Sequence, residues 1–343
     1  MKHHEFWHPR LFEIPYYLHL AFGCLVRGLP PLSLLRANYG IDHGGFAFAS
    51  KFAIQTKIGS DFFPPTALLS KAASPDEKNK IASAFARNYG FPLILKPDAG
   101  FTGKGVRRVR NANELAETLP LLSIDYLLQG YLDLPFEFGV FYARVRGKEK
   151  ILGINGKLYP QVVGDGKKNI GELAERHPRF TPHWRAFLLE HDSSRVPNEG
   201  ERITLSYIGS HTMGCLFADE SRLVTPRLED KIFSYFRHFP GFNFGRLDVK
   251  CRDEKALMDG DIALIEVNGV DSLPTWIFDP SWTLCQSYRA LLGAGTSLLA
   301  SANEHRRKTM PRFSWKKILK ETEKIVREVN EQHEILLRNS VAS

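Results

Sequence analysis

The chain has 343 residues, 43% of them hydrophobic and 24% charged, and its 46 lysines and arginines outnumber 38 acidic residues for a formal charge of +8. Such a chain folds as two or three lobes, and the composition excludes a disordered polymer, a collagen-like repeat and a disulfide-stapled mini-protein. The cationic excess is modest and spread out, so it suits an anionic small substrate as readily as a nucleic acid.

The histidines His3, His4 and His8 read as a solvated tail. Ile14 to Val26 carries no formal charge but contains Pro15 and His19 and is too short to span a bilayer. It predicts a docked helix, with a membrane-surface anchor as the alternative. Asn38 to Gly45 reads as a loop because its glycines permit positive φ. Ser74, Pro75 and Glu77 predict a helix start with a capping box, and Ile81, Phe85 and Tyr89 are expected to form its apolar side. Leu93 to Pro97 and Val106 to Val109 predict strands around a glycine loop, Gly100 to Gly105. Asn111 with Glu114, and Asn169 with Glu172, open further helices, the second after Gly164-Asp-Gly166. Strands are predicted at Tyr126–Gln129, Glu137–Val145, Gly245–Cys251 and Ile262–Asn268, and a long helix from Ser314 to Arg338. Strands and helices without strict alternation predict α+β lobes. Cys24, Cys215, Cys251 and Cys285 show no paired spacing, which predicts reduced thiols in a cytoplasmic protein.

The two late strands carry the clearest chemistry. Alternation puts Arg246, Asp248 and Lys250 on one face of the first. In the second it puts Glu266 and Asn268 on one face, with Ala263, Ile265 and Val267 opposite. If the strands are neighbours, Asp248, Glu266 and Asn268 converge as an all-oxygen set suited to Mg²⁺; if not, they are half-exposed edge strands. Lys96 interrupts an apolar strand, where an uncompensated charge is costly to bury, so it either faces a polar cleft and an anion or lies at the surface. Gly100, Gly103 and Gly105, with Thr102 and Lys104, could offer donors to phosphate oxygens, but the same pattern also serves a flexible hairpin. Tyr207, Ser210 and His211 are candidates for an acceptor pocket, as is His43 in the Asp42–Gly45 loop. His211 and Cys215 have helical ligand spacing but no further ligands near them in sequence. No RNA-recognition, helix-turn-helix or zinc-finger pattern is present, which argues against a nucleic-acid partner.

Taken in order, these segments resemble the ATP-grasp superfamily, in particular its D-alanine–D-alanine-ligase-like and carboxylate–amine ligase branches. The carrying segments are Ser50-Lys51, Phe91–Pro97 with its glycine loop, Gln129–Leu132 with Glu137, Val163–Lys167, Gly245–Asp248 and Ile265–Asn268. The resemblance implies that Lys51 and Lys96 reach the phosphates of ATP, with Gly103 in the loop beside them. It implies that Gln129, Gly130, Tyr131 and Leu132 form the adenine hinge and that Glu137 holds the ribose. Asp248, Glu266 and Asn268 would hold two Mg²⁺ ions, with Mn²⁺ an acceptable substitute, and Arg246 would face charge developing at the reacting carbon. The implied fold is two α+β lobes sandwiching MgATP. Its expected parts are a reduced substrate-side segment over 1–50, an ATP-grasp domain over 51–312 with lobes near 51–135 and 136–312, and a helix docked outside over 313–343.

The expected activity is ATP-dependent amide or peptide-bond formation through an acyl phosphate, releasing ADP and phosphate. The alternatives are an ATP-grasp kinase acting on a hydroxyl and a non-catalytic nucleotide-binding protein. The expected partners are a small carboxylate and an amino-acid-like amine, with no nucleic acid and no transmembrane segment; a homodimer is compatible with this reading. Gly269–Pro274 lacks the Pro-Gly loop of D-alanine ligases, so the substrate is expected to differ from D-alanine.

Overall fold

The computed structural model describes residues 4–46, 49–179, 192–310 and 314–341; His3 and the expected boundary at 312/313 lie outside these. Among the described residues the strands are β1 (Thr66–Leu69), β2 (Leu93–Pro97), β3 (Arg107–Val109), β4 (Tyr126–Gly130), β5 (Phe136–Val145), β6 (Lys148–Leu158), β7 (Gln161–Val163), β8 (Arg202–Thr204), β9 (Leu216–Asp219), β10 (Phe244–Cys251) and β11 (Ala263–Asn268). The helices are α1 (Pro9–Phe12), α2 (Ile14–Val26), α3 (Lys51–Ile58), α4 (Pro75–Tyr89), α5 (Ala112–Thr118), α6 (Ile170–Glu175), α7 (Pro226–Ser234), α8 (Glu254–Asp259), α9 (Leu284–Glu304) and α10 (Trp315–Val341). The strands form a sheet of order β11-β10-β5-β6-β9, a second of order β1-β4-β2-β3 and the pair β7-β8. The α+β class is therefore observed.

Local hydrogen bonds start several helices where the sequence predicts. Ser74 Oγ accepts from Glu77 N at 3.2 Å while Glu77 Oε2 accepts from Ser74 N at 2.8 Å. Asn169 and Glu172 make the same reciprocal pair, at 2.8 and 2.9 Å, and Asn111 Oδ1 accepts from Glu114 N at 2.9 Å. The buried side of α4 shares only Phe85 with the expected one. Lys78, Ala82 and Phe85 are buried, whereas Ile81 and Tyr89 are 37% and 54% exposed. Lys78 can lie inward because its ammonium donates to Leu122 O at 3.1 Å and its methylene stem covers apolar surface.

The chain divides into two compact units that interleave along the sequence. The first comprises Met1–Thr66, Leu132–Gly156 and Phe217–Lys324. One side of its five-stranded sheet (Phe138, Val140, Tyr142, Leu247, Val249) packs with Leu228 and Ile232 of α7 and Leu257 of α8. On the other side, Phe141, Ala143 and Phe244 pack with Tyr16 and Leu20 of α2 and Leu291, Leu298 and Leu299 of α9. The N-terminal residues are thus core rather than a separate lobe: Phe12, Leu29, Leu35 and Ala37 belong to this cluster. His4 departs from the solvated-tail expectation for the same reason. It is 5% exposed, its Nε2 lies 2.8 Å from Ile277 O and 2.9 Å from Ser287 Oγ, and its ring stacks on Phe12.

Asn38 ties this unit together from a fully buried position. Its Nδ2 donates to Gly44 O at 3.0 Å and Phe244 O at 2.7 Å, and its Oδ1 accepts from Asn243 N at 2.8 Å and Phe244 N at 3.0 Å. All four capacities of the amide are used, so the predicted loop is a fixed strut at the start of β10.

The second unit comprises Ala67–Tyr131, Lys157–Leu216 and Ile325–Ser343. Leu69, Leu93, Leu95, Val109, Tyr126 and Leu128 pack on Ala82 and Phe85 of α4 and on Val329 and Leu336 of α10. The C-terminal helix therefore contributes to the core here, while Leu319 is 58% exposed. Gln332 fixes the helix: its Oε1 accepts from Ser123 N and Oγ, each at 2.7 Å, and its Nε2 donates to Leu121 O at 3.0 Å.

Candidate functional site

In the first unit the two late strands are antiparallel neighbours, with Arg246 opposite Asn268 and Asp248 opposite Glu266. On its other edge β10 pairs with β5, setting Asp248 opposite Gly139, Lys250 opposite Glu137 and Arg246 opposite Phe141. Gly139 is in turn opposite Asn155 of β6. Directly opposed residues share a face, so Asn155, Gly139, Asp248 and Glu266 form one row across four strands. The sheet face is apolar where Phe141 and Phe244 meet the helices and polar where this row lies.

A register shift follows Asp248: Val249 pairs with Leu264, not Ile265. The bulge turns Leu264 into the core beside Val267 and makes Ile265 the extra residue. Strict alternation had put Ala263, Ile265 and Val267 on the core side. The carboxylate–amide face is unaffected because Glu266 and Asn268 lie before the shift as counted from the strand end.

The charges on this face compensate one another. Arg246 Nε donates to Asp248 Oδ1 at 2.9 Å and Nη2 to Oδ2 at 3.2 Å, a bidentate fork. Asn268 Nδ2 donates to the same Oδ2 at 3.3 Å. Lys51 Nζ, in the first turn of α3, lies 3.6 Å from Glu266 Oε1. Ser50 fixes that turn by accepting from Ala53 N at 3.0 Å. Burial opposes the charge on Arg246, but Asp248, Glu266 and Asp271 outweigh it and hold the guanidinium pKa above its usual value.

Close approaches of glycine shape the face. At Gly139 an added Cβ would collide with Asn155 Oδ1 and come within 3.0 Å of Arg246 Cδ, so the absence of a side chain there admits the arginine. Gly45, at φ +79, packs on Gly269, where its added Cβ would be 2.6 Å from the Gly269 Cα. That contact seats the Asp42–Gly45 loop against the turn following Asn268. Within the loop, His43 Nε2 lies 3.7 Å from Glu321 Oε2.

Asn155, Asp271 and Gly139 were not singled out from the sequence. Asn155 is 1% exposed; its Oδ1 accepts from Thr275 Oγ1 at 2.6 Å and its Nδ2 is buried without a hydrogen-bond partner. The only sequence signal at Asn155 is an amide directly following the apolar run Ile151–Ile154.

In the second unit, Lys96 and Gln129 are 8% and 2% exposed. Ile94 pairs with Gln129 and Lys96 with Leu127, so Lys96 and Gln129 share the sheet face opposite the Leu93–Leu95 core. Arg108, opposite Ile94, joins that face, with its guanidinium 5.9 Å from the Tyr131 ring and 4.8 Å from that of Tyr207. The glycine loop is anchored. Lys104 Nζ donates to Asn330 Oδ1 of α10 at 2.6 Å, Gly105 N to His333 Nδ1 at 3.3 Å, and Tyr126 OH to Gly105 O at 3.0 Å. Lys104 is thus engaged by the helix. Gly103 abuts the Ile208 side chain. Ser210 Oγ lies 2.8 Å from Thr212 Oγ1, and His211 begins a 3-10 turn rather than an α-helix, so its spacing to Cys215 is not helical. Gly130 ends β4, and the chain passes between the units after Tyr131 and before Leu132.

Asp248, Glu266 and the Asn268 amide oxygen are hard donors of the kind Mg²⁺ takes, though Arg246 and Lys51 already neutralise the two carboxylates. Among the described residues no three His, Cys, Asp or Glu side chains gather to hold a metal by themselves, so Asn268 and substrate oxygens would complete the shell.

The family model for the carbamoyl-phosphate synthase L chain, ATP binding domain, matches residues 65–122, the stretch that holds Lys96 and the glycine loop. The ATP-grasp resemblance is borne out over that stretch. Among solved structures, a bifunctional glutathione synthetase from Pasteurella multocida is similar at 15% identity and a TM-score of 0.38, over 71% of this chain and 36% of that one. The D-alanine–D-alanine ligase from Helicobacter pylori is similar at 14% identity and a TM-score of 0.38, over 76% of this chain and 61% of that one. The D-alanine–D-alanine ligase from Bacillus anthracis, complexed with ATP, is similar at 14% identity and a TM-score of 0.41, over 76% and 68%. The chain spans 36% and 61% of the length of the first two.

Proposed function

We propose that this protein is an ATP-dependent carboxylate–amine ligase that joins a small acid to an amine through an acyl phosphate. The observation that carries the reading is the row of Asp248 and Glu266, flanked by Asn268, with Arg246 forked onto one carboxylate and Lys51 set against the other. A carboxylate oxygen of the substrate attacks the γ-phosphorus of ATP, and ADP leaves. The amine nitrogen then attacks the acyl carbon, phosphate leaves, and the nitrogen gives up a proton.

The chain's residues serve this by position and charge. Asp248 holds Arg246 in a fixed plane as a permanent cation for the oxyanion formed at the acyl carbon. Lys51 and Lys96 meet phosphate oxygens, Gln129 to Leu132 read the adenine edge, and Glu137 takes the ribose hydroxyls. Asp248, Glu266 and Asn268 would hold Mg²⁺, which supplies charge neutralisation on the transferring phosphoryl group. Asn155 Nδ2 offers a further buried donor beside Arg246. Tyr207, Ser210, His211 and His43 are the proposed contacts to the acid and the amine.

The test is incubation with MgATP and pooled small carboxylic acids and amines, following phosphate release and product mass. The expected product is the acid plus the amine less one water, and ¹⁸O from the acid appears in the released phosphate. If labelled γ-phosphate is instead esterified to the product, the kinase reading replaces this one.

A further inference from the structure

Half of helix α2 is not used by the core. Tyr16, Leu20, Gly23 and Cys24 are buried, and α2 meets α9 through two glycines. An added Cβ at Gly23 would collide with Leu299, and one at Gly295 would meet Tyr16, His19 and Leu20 at 2.9, 3.1 and 3.4 Å. The order of these contacts rises along both helices, so the two run parallel.

The other half of α2 faces out and is apolar. Ile14, Leu18, Phe22 and Leu25 recur at three- and four-residue spacing and are 47%, 64%, 66% and 77% exposed, and Leu11 of α1 precedes them at 65%. Tyr17 and Val26 widen the stripe at 56% and 65%. No Asp, Glu, Lys or Arg occurs between Ile14 and Val26. A helix that is apolar all round is ordinarily covered on both sides, and an exposed patch of this kind marks a docking surface. No single helix among the described residues is long and apolar enough to cross a membrane.

Charge identifies the partner. Parallel packing brings the C-terminal ends of α2 and α9 to the same end of the pair. Arg27 follows α2 there, and the run His305-Arg306-Arg307-Lys308 follows α9, with Arg306, Arg307 and Lys308 exposed. Arg36 Nε donates to Lys308 O at 3.3 Å, which adds a further guanidinium. One exposed acid, Glu304, lies at this end and accepts from Arg146 N at 2.6 Å, against the basic side chains Arg27, Arg306, Arg307 and Lys308; Glu13 lies at the other end of α2 and accepts from Tyr17 OH at 3.0 Å.

We propose that this face docks on the interfacial layer of a membrane bearing anionic head groups, with the α2 stripe among the upper acyl chains and the basic end against phosphates. The surface is independent of the row around Asp248 and of the ligase reading.

The test is flotation of the full chain with phosphatidylcholine vesicles and with vesicles also containing phosphatidylglycerol, beside sedimentation velocity without lipid. The expected result is flotation with the anionic vesicles that high salt weakens. Leu18→Ser/Phe22→Ser/Leu25→Ser should lose at least about tenfold in vesicle affinity with an unchanged circular dichroism spectrum, since these side chains are mostly exposed and lie outside the core cluster that α2 joins. Arg306→Glu/Arg307→Glu should lose at least about 25-fold on anionic vesicles, from roughly fivefold per charge removed. No flotation with either vesicle overturns the proposal. So does flotation that both variants retain, or a lipid-free dimer that the serine variant converts to monomer without any vesicle binding.

Discussion

Replacing Asp248 with asparagine keeps the side chain's shape and removes its charge. In the native chain, Arg246 spends two donors on that carboxylate, at 2.9 and 3.2 Å, and the two side chains are only 21% and 8% exposed. Removing one partner of such a pair leaves a desolvated cation behind, which costs about 3 kcal/mol, the low end of the usual range because a fifth of Arg246 still reaches water. Arg246→Met alone strands Asp248 and should cost a similar amount. The double variant Arg246→Met/Asp248→Asn should be less destabilised than the sum of the two, with a coupling of at least about 1.5 kcal/mol. Urea unfolding followed by fluorescence of Trp276, which is packed in the same unit, measures all three. A single-variant loss under about 1 kcal/mol, or strict additivity, would mean that the pair is solvated in solution, and the argument for a pre-charged Arg246 would fail.

Asn38→Leu should lose about 3 kcal/mol, because the amide protons of Asn243 and Phe244 and the carbonyls of Gly44 and Phe244 lose their partner in a dry site; near-native stability in the same urea assay would contradict this. Gly139→Ala should displace Arg246 and Asn155 and cost on the order of 2 kcal/mol together with most of any turnover; unchanged melting and rate would show that the sheet relaxes around the methyl group. Lys96→Ala should weaken MgATP binding at least about tenfold by calorimetry, and unchanged affinity would return Lys96 to a structural role. Cys251 is pushed up to about 11 by burial and then by Asp253, and Cys24 is raised by burial, while Cys285 is the exposed thiol. Since the thiolate is the nucleophile, Cys285 alone should react quickly with a thiol reagent at about pH 8, and a second fast thiol would contradict the packing. The raised Cys251 value carries a sign as well. Its contribution to stability is full below the unfolded thiol's pKa and is lost as pH rises through about 11.

What the sequence determined by itself is what short-range geometry controls. Capping residues three positions apart, as at Ser74 and Glu77 or Asn169 and Glu172, bond to each other whatever surrounds them, so helix starts were legible. The two-residue period of a strand likewise put Arg246 and Asp248 on one face before any neighbour was known. Tertiary structure decided which strand lies beside which, and therefore that Glu266 stands opposite Asp248 and that Lys51 reaches Glu266. It also decided the bulge that sends Leu264 inward, since a register shift belongs to a pair of strands and leaves no mark on either one. His4 and Asn38 looked like tail and loop because polar residues usually are, and nothing in the sequence singled out Lys78. Each is buried because a distant carbonyl or amide satisfies it, and those partners, Ile277, Phe244 and Leu122, come within reach only when the chain has folded.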